Sequence, residues 1–586
     1  MRVLLLNMPF TARLIPNIGI SILKPLLNRE TGVQCDVRYP SLWLYQREPQ
    51  GYDAVSIGDC RSLVGEWLFN PLRPPLESFI DKVRTAPFDL ALRLDPLVDS
   101  FLDDCMERLE PSRYDLIGFS VMFQQLMPSL ALARRIKQAY PHVKTVFGGA
   151  TMSGVMGERL HAKFREVDYV VTGDGEEALP ELARRMRDGS SPRLIPGLLV
   201  RDDRGKSVMD LPARPFENLD SSPCPDYSDY VGDPAAPEVD DVYFLVEASR
   251  GCWWGQKHHC TFCGLNANGL AFRHKRPERV MDELHGVAAQ YGAKSICMSD
   301  TIAARSVFSD VLPNLKTQPV PAGLIWQTKA NLSRRQIQDM AEAGVKTFQP
   351  GIESLSSRVL KIMNKGVSLI QVVQTLKWAA EFGIETSWNI LLGFPGETEQ
   401  DYIDMSKVIP LITHLKPPKV ASQIRLDRFS PNFEQARELG FRNVRPSWMF
   451  QHAYPNDLTP EELTDLAYWF DYDLEDGLSR GPELLRHIVE PGKVWRDTPG
   501  DLRAIPGTLP ELKLVDTRCG KSAVEFDLNG IERQVYEFCA EIRVLHQIRE
   551  RFGEVEPFLG RMVDAGFMIQ EGGRYLSLAL SGPWAA

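Results

Sequence analysis

Short apolar runs alternate with amphipathic stretches through the first 215 residues. "RVLLLN" (2–7), "DLIGFSV" (115–121), "KTVFGGA" (144–150) and "DYVVTGDG" (168–175) each close on Gly, Ser or Asn or carry them near the end. Between them lie segments such as "LMPSLALARRIKQAY" (126–140), with apolar residues on one helical face. That rhythm predicts a doubly wound parallel sheet. Ligands of such sheets lie at the carboxyl ends of the strands, where small residues let the backbone come close. Gly118 to Ser120, Gly148-Gly149 and Gly173 to Gly175 all fall at such ends and favour a nucleotide-like or tetrapyrrole-sized ligand over plain turns. The stretch from about 40 to 110 breaks the rhythm and reads as a helical insertion.

Residues 216–241 are rich in Pro, Asp and Ser and read as a linker. A second series then begins, with candidate strands at 242–249, 295–300, 323–330, 347–354, 386–393 and 421–429. Helical segments such as "RPERVMDELHGVAAQY" (276–291) separate them. Six such units over 242–440 predict a partial (β/α)6 barrel, whose reactive groups lie at the strand C-termini. The pattern changes again over 441–586, where helices are followed by a candidate hairpin (566–580) with Gly572-Gly573 at its turn. That order predicts an α+β, winged-helix-like region.

Composition narrows the partners. The chain is 586 residues long, 44% hydrophobic and 25% charged, with a formal net charge of -10. That balance argues against a protein built to grip a phosphate backbone, so no nucleic acid is expected. For the terminal region a protein or peptide contact is favoured over DNA. No segment is long and apolar enough to span a bilayer. The opening run is cut by Asn7 and Pro9 and reads as a strand, which leaves a cytoplasmic protein with no membrane partner as the expectation. There, clustered thiols point to metal or redox work before disulfides. Cys35, Cys60, Cys105, Cys224, Cys297, Cys519 and Cys539 are scattered and read as small buried hydrophobes.

The other three cysteines fall in "RGCWWGQKHHCTFCGLN" (250–266), spaced by seven residues and then two. Cys252, Cys260 and Cys263 with His258 or His259 can make a structural zinc site. Three thiolates alone can instead hold an iron–sulfur cluster with one iron open. The position, directly after the first barrel strand, favours the open cluster. Trp253 and Trp254 read as packing, and His258 and His259 as exposed loop residues.

The second block resembles the radical S-adenosylmethionine (SAM) superfamily. In that family three cysteines after the first barrel strand bind a [4Fe–4S] cluster, and the open iron chelates SAM. The usual spacing is three residues then two, so the longer first interval is a departure. The "CTFC" half is family-like, and Phe262 there implies a backbone contact to the adenine. "QPGIES" implies that Glu353 and Ser354 read the ribose. "WNILLGFPGETEQDY" implies Asn389 and Gly393 beside the adenine, and the looser "MSD" implies Ser299 near the amino group. Lys329, ending the third strand, is a candidate SAM-side contact or an ordinary salt-bridging residue.

The first block resembles the cobalamin-binding domain that precedes this core in many such enzymes. The resemblance implies cobalamin contacts from Asn7, Gly118, Ser120, Gln124, Gly148, Gly149, Gly173, Gly175 and Glu176. A helix-start role is an equal reading for Gln124. The Asp-x-His-x-x-Gly signature is absent, which implies cobalamin held without a protein histidine below cobalt. "LVGEWLF", "SRGCWWGQKHHCTFCGLN", "QPGIESLSSRVLKIMNKG" and "RLDRFSPNF" are similar to the cobalamin-dependent radical SAM enzymes that mature ribosomally made peptides. The implied activity is C-methylation of a precursor peptide, with methylcobalamin as methyl carrier and a flavodoxin- or ferredoxin-type electron donor. A monomer is expected. Two alternatives stay open: a non-methylating rearrangement, cyclisation or epimerisation, and a zinc-containing binding scaffold.

Overall fold

The computed structural model describes residues 1–58, 62–75, 86–264, 269–476, 481–498, 500–507, 511–520 and 522–581. The reading of Cys60 falls outside them. Strands β1 (Arg2–Leu6), β2 (Gln34–Arg38), β3 (Leu116–Ser120), β4 (Lys144–Gly148), β5 (Tyr169–Val171), β6 (Leu198–Arg201) and β7 (Ser207–Met209) make one sheet in the order β2-β1-β3-β4-β5-β6-β7. The first five are parallel, and β6 and β7 extend the edge as an antiparallel pair. The chain order reverses between β1 and β3, so the crevice above their carboxyl ends is the natural ligand position. Leu4, Leu6, Leu116, Ile117 and Phe147 are fully or almost fully buried, as strands covered on both faces require.

The insertion is helical where it is described, and its helix Val64–Phe69 has a structural task. Buried Glu66 accepts hydrogen bonds from the backbone N–H of Leu126 (3.2 Å) and Met127 (2.6 Å), at the first turn of the helix Leu126–Ala139. A carboxylate there satisfies orphan donors and meets the positive helix end. Burial still pushes its pKa from 4.5 up to about 7, against these bonds. A folded pKa above the unfolded one makes the folded state bind more protons between those values. Stability from this group is therefore full below pH 4.5 and is lost as pH rises through 7. Denaturation midpoints at pH 5 and 7.5 check this. Relative to Glu66→Gln, the wild type is expected to lose on the order of 3 kcal/mol across that interval.

The segment 216–241 joins the blocks as a packed strap. Tyr227 and Tyr230 are buried in it. The Tyr227 hydroxyl donates to the Leu245 carbonyl (2.7 Å) on the barrel side. Asp226 and Asp229 pair with Lys24 on the sheet side, the first at 2.8 Å and the second at 2.5 Å.

In the second block, β8 (Tyr243–Val246) is followed by a short antiparallel pair, β9 (Ser249–Arg250) and β10 (Arg273–His274). Then come β11 (Ser295–Met298), β12 (Gly323–Gln327), β13 (Val345–Gln349), β14 (Glu385–Thr386), β15 (Asn389–Leu392) and β16 (Val420–Gln423). The parallel order is β14-β13-β12-β11-β8, with β15-β16 as a separate parallel pair. The run 347–354 is thus not one continuous strand. Pro350 has no N–H to continue the ladder, and the chain regains contact only at an isolated parallel bridge between Glu353 and Ile390. The arc is a partial barrel, and no closing pair between β8 and β16 occurs among the described residues.

Beyond the barrel, β17 (Leu426–Asp427), β18 (Phe441–Pro446) and β19 (Trp469–Leu474) form an antiparallel sheet in the order β17-β19-β18. A second antiparallel sheet follows, made of β20 (Leu502–Pro506), β21 (Leu512–Asp516) and β22 (Val524–Leu528). Helices Gly530–Phe538, Leu545–Phe552 and Glu556–Asp564 then combine with β23 (Arg543–Val544), β24 (Met568–Glu571) and β25 (Arg574–Ser577) in a winged-helix arrangement. Gly572 and Gly573 both have positive φ (56° and 73°), which the tight hairpin turn between β24 and β25 demands. Buried Lys377 of the barrel layer donates to the Ala540 carbonyl (3.2 Å), seating this module on the barrel.

Candidate active site

Three features meet between the sheet and the barrel: a cavity, a loop of three thiols, and a set of shielded charges. The cavity, about 360 Å³, lies above the carboxyl ends of β1, β3, β4 and β5. Of the residues that sequence resemblance assigned to cobalamin, Gly118, Ser120, Gly148 and Gly149 line it from β3 and β4. Gly173, Gly175 and Glu176 line it from the end of β5. A Cβ placed on Gly148 meets only the Val171 Cβ, at 4.0 Å, so this glycine leaves open a wall that a side chain would fill.

Two assigned residues stand elsewhere. Asn7 is buried behind the cavity, where its Oδ1 accepts from Gln125 (3.1 Å) and Asn17 (3.4 Å). Asn17 in turn donates to the Ser120 hydroxyl (3.0 Å), so Asn7 supports the wall from one layer back. Gln124 is fully used in packing: its side chain donates to the Val55 carbonyl (3.0 Å) and accepts from the Gly65 N–H (3.1 Å). Direct contact with a ligand in the cavity does not fit it, because both ends of its amide are spent on the insertion. Sequence reasoning missed the helix Ile18–Arg29, whose first residues line the cavity's other wall, and missed Glu247 and Arg250 from the barrel. The apolar start of that helix gave no chemical signal.

The thiol loop leaves β9 through Gly251 (φ 85°), where a Cβ would stand 2.2 Å from the Ala271 carbonyl oxygen. The extra residues of its first interval wind into one short helix, Gly255–His258. This turn absorbs the added length and returns the chain to Cys260. The Gly255 N–H donates to the Cys252 sulfur (3.2 Å). His258 packs at a tilt against Trp254 with ring centroids 4.3 Å apart, and His259 bonds the Cys263 carbonyl through Nε2 (2.8 Å). Both tryptophan N–H groups go to backbone carbonyls, Trp253 to Ala303 and Trp254 to Asn364, each at 3.0 Å. The two rings are packing elements, and the two histidines are engaged with the loop itself.

Lys365 is the electrostatic centre of this loop. Burial works against its charge, yet Glu353 and the sulfurs of Cys260, Cys263 and Cys252 hold its pKa above the ordinary 10.5. One ammonium thus feels all three thiols. Its Nζ lies 3.7 Å from Glu353 Oε1. Burial raises the Cys260 thiol, with the Cys252 sulfur adding and Lys365 opposing. Burial together with Lys365 pulls Lys329 down to about 8, and its ammonium sits 2.8 Å from the centre of the Trp254 ring. Glu353 itself has φ 68°, a conformation that turns its side chain off the end of the bridge with Ile390.

The other assigned SAM residues divide. Phe262 packs edge-on against Phe394 (5.8 Å), next to Gly393. The Gly393 N–H donates to the Glu397 carboxylate (2.8 Å) and the Tyr402 hydroxyl (3.1 Å). Asn389 opens β15, and Ser299 is exposed at the end of β11. Ser354 is fully buried, with its hydroxyl against the Met405 sulfur (3.5 Å) and accepting from the Ser356 N–H (3.2 Å). Its hydroxyl is therefore turned into the packing behind the strand, not toward the thiol loop. Neighbouring Asp300 has an unassigned task. One carboxylate oxygen accepts from the N–H of both Ala248 and Ser249 (2.8 Å each), which fixes the approach to the thiol loop.

Residues 246–409 match the radical SAM superfamily, and residues 82–183 match the B12 binding domain. An uncharacterized methyltransferase of Pyrococcus horikoshii is 28% identical over 293 residues, 49% of this chain and 62% of that protein. The anaerobic magnesium-protoporphyrin IX monomethyl ester cyclase of Synechocystis is 21% identical over 368 residues, 58% of this chain and 71% of that protein. Among solved structures, the radical SAM methyltransferase TsrM from Kitasatospora setae shares the fold at a TM-score of 0.55 and 18% identity. That match covers 85% of this chain and 89% of that one.

The residues present suit the groups these domains take. Lys365 interacts with Cys252, Cys260 and Cys263 alike, and an iron cube seats each of three thiolates on a different iron. Glycines of three strand ends line the cavity, and at Gly148 a side chain would stand in its open space. The cofactors are a [4Fe–4S] cluster, SAM and cobalamin. No described helix is long and apolar enough to cross a membrane.

Proposed function

We propose that this chain, which joins a B12-binding domain to a radical SAM domain, transfers a methyl group from SAM by way of cobalamin to a carbon of a ribosomally made precursor peptide. The observation that carries the reading is the cavity's shared wall. Glycine-rich strand ends of the first domain and Glu247 and Arg250 of the second line the same space. Two cofactor sites that share a wall can present two reactive groups to one substrate carbon, which is the alignment that such a transfer needs.

When bound, the cluster supplies the electron that cleaves SAM, and the corrin supplies the methyl group. The chain's own residues do the rest. Cys252, Cys260 and Cys263 hold the cluster, and Lys365 offsets their negative charge. Glu353, Phe262 and Gly393 border the SAM side. Trp253 and Trp254 brace the thiol loop through their ring N–H bonds to Ala303 and Asn364. The winged-helix module, in a chain of net charge -10, supports a peptide contact over a nucleic acid one. A flavodoxin- or ferredoxin-type protein would deliver the electron.

The test is mass spectrometry of a candidate peptide co-expressed with the chain, together with counting of SAM products. A gain of one methylene equivalent, with both S-adenosylhomocysteine and 5′-deoxyadenosine formed, is the expected result. The similarity to a cyclase favours a second reading, a non-methylating ring closure. It predicts 5′-deoxyadenosine without S-adenosylhomocysteine and no added methylene, and that outcome would overturn methyl transfer.

A further inference from the structure

Arg250 stands two residues before the first cluster cysteine and reaches into the other domain. Its guanidinium Nε and Nη2 donate to both oxygens of Glu247 (2.8 and 3.0 Å). Nη2 also donates to Glu176 Oε1 (2.6 Å), and Nη1 lies 3.1 Å from Asp174 Oδ1. Arg273, its partner across the β9–β10 pair, reaches the same Asp174 (3.0 Å). These groups are well shielded: the side chains of Glu176, Glu247 and Asp174 are 7%, 9% and 14% exposed. Charge pairs this dry are held in one geometry, because a loosened partner leaves an uncompensated charge.

Glu176, Asp174, Glu247 and Arg250 all line the cavity. A ligand with amide arms, such as a corrin, meets this cluster as part of its wall. On the far side, the backbone of Arg250 has little freedom. Asp300 holds Ala248 and Ser249, β10 pairs with Arg250, and the Cys252 N–H is bonded to the Leu270 carbonyl (3.3 Å). A shift of the guanidinium therefore reaches Cys252 through Gly251 alone, which is packed against the Ala271 carbonyl.

We propose that Arg250 is a positioning residue through which cobalamin in the cavity and SAM at the cluster strengthen each other's binding. The cluster moves as one unit, so a cofactor that settles against it fixes its position and the second meets a site already placed. The coupling must be reciprocal: SAM tightens cobalamin by the same factor as cobalamin tightens SAM. The inference rests on the two cofactor sites and not on the transfer reaction, so it stands or falls whatever the substrate is.

The test uses the full chain with its cluster reconstituted. Hydroxocobalamin is titrated spectroscopically with and without SAM, and SAM is titrated by equilibrium dialysis with and without hydroxocobalamin. In the wild type both ratios are expected to be about fivefold or more, and equal to each other. Arg250→Gln is expected to keep its iron and bring both ratios to about one, with Arg250→Lys between, since an ammonium lacks the planar fork that spans three carboxylates. Should Arg250→Gln lose iron, Glu176→Gln carries the test, because it breaks the link from the other domain; its ratios are expected to fall as well. Ratios of one in the wild type, or wild-type ratios in the iron-loaded variant, would overturn the proposal.

Discussion

Changing Cys252, Cys260 and Cys263 together to alanine is expected to leave anaerobically reconstituted protein with background iron and no cleavage of SAM. Replacing groups that merely support a metal ligand costs roughly 10–100-fold in affinity or activity, and removing the ligands themselves goes beyond that. The fold should survive, because the loop is held by contacts that do not need the sulfurs. Asp300 anchors its approach, the Asn364 side chain bonds the His258 carbonyl, and the Thr261 N–H donates to the Met363 carbonyl (3.1 Å). Cys297→Ala serves as control. Cys297 lies on β11 with only a weak bond from its sulfur to the Met298 carbonyl (3.7 Å), and its loss should leave the iron content unchanged. Iron analysis and quantified 5′-deoxyadenosine read the result. Full iron in the triple variant would remove the cluster from this loop.

Filling the cavity should abolish cobalamin binding without unfolding the sheet. Gly148→Phe is the informative change, because its Cβ direction is open up to the Val171 Cβ at 4.0 Å. The aromatic ring then occupies the cavity, and cobalamin affinity is expected to fall at least about 100-fold, which is about 2.8 kcal/mol. A glycine in a strand weakens it, so the replacement itself carries no backbone penalty. Gly118 is the contrast. A Cβ there would stand 2.6 Å from Leu5 Cδ2, so Gly118→Ala overpacks the sheet and is expected to cost about 1–3 kcal/mol of stability. Bound corrin by absorbance, with a thermal melt of each variant, separates exclusion from unfolding. Gly148→Phe that still takes up cobalamin would move the corrin site elsewhere.

Much of this architecture was legible before any coordinates. A parallel sheet buried on both faces must be built from continuous apolar runs, and β1, β3, β4 and β5 are such runs. The small residues at their ends line the cavity at that edge, where the absence of side chains leaves room. The spacing of Cys252, Cys260 and Cys263 likewise stood in the chain, as did the turn glycines of the β24–β25 hairpin.

What the sequence could not carry were contacts whose partners are far apart along the chain. Glu66 meets its donors 60 and 61 residues on, and Arg250 meets Glu176 74 residues back. Gln124 looked available for a ligand because nothing local showed that its amide was already spent on Gly65 and Val55. Lys365 carried no local signal, since only folding brings its ammonium within reach of the three sulfurs. The physical reason is one of range. Periodicity and turn chemistry act between near neighbours and are written directly in the chain, so strands, helices and the thiol loop followed from sequence. Burial and charge pairing act through space, so the cavity wall that the two domains share was decided only when the tertiary structure closed around it.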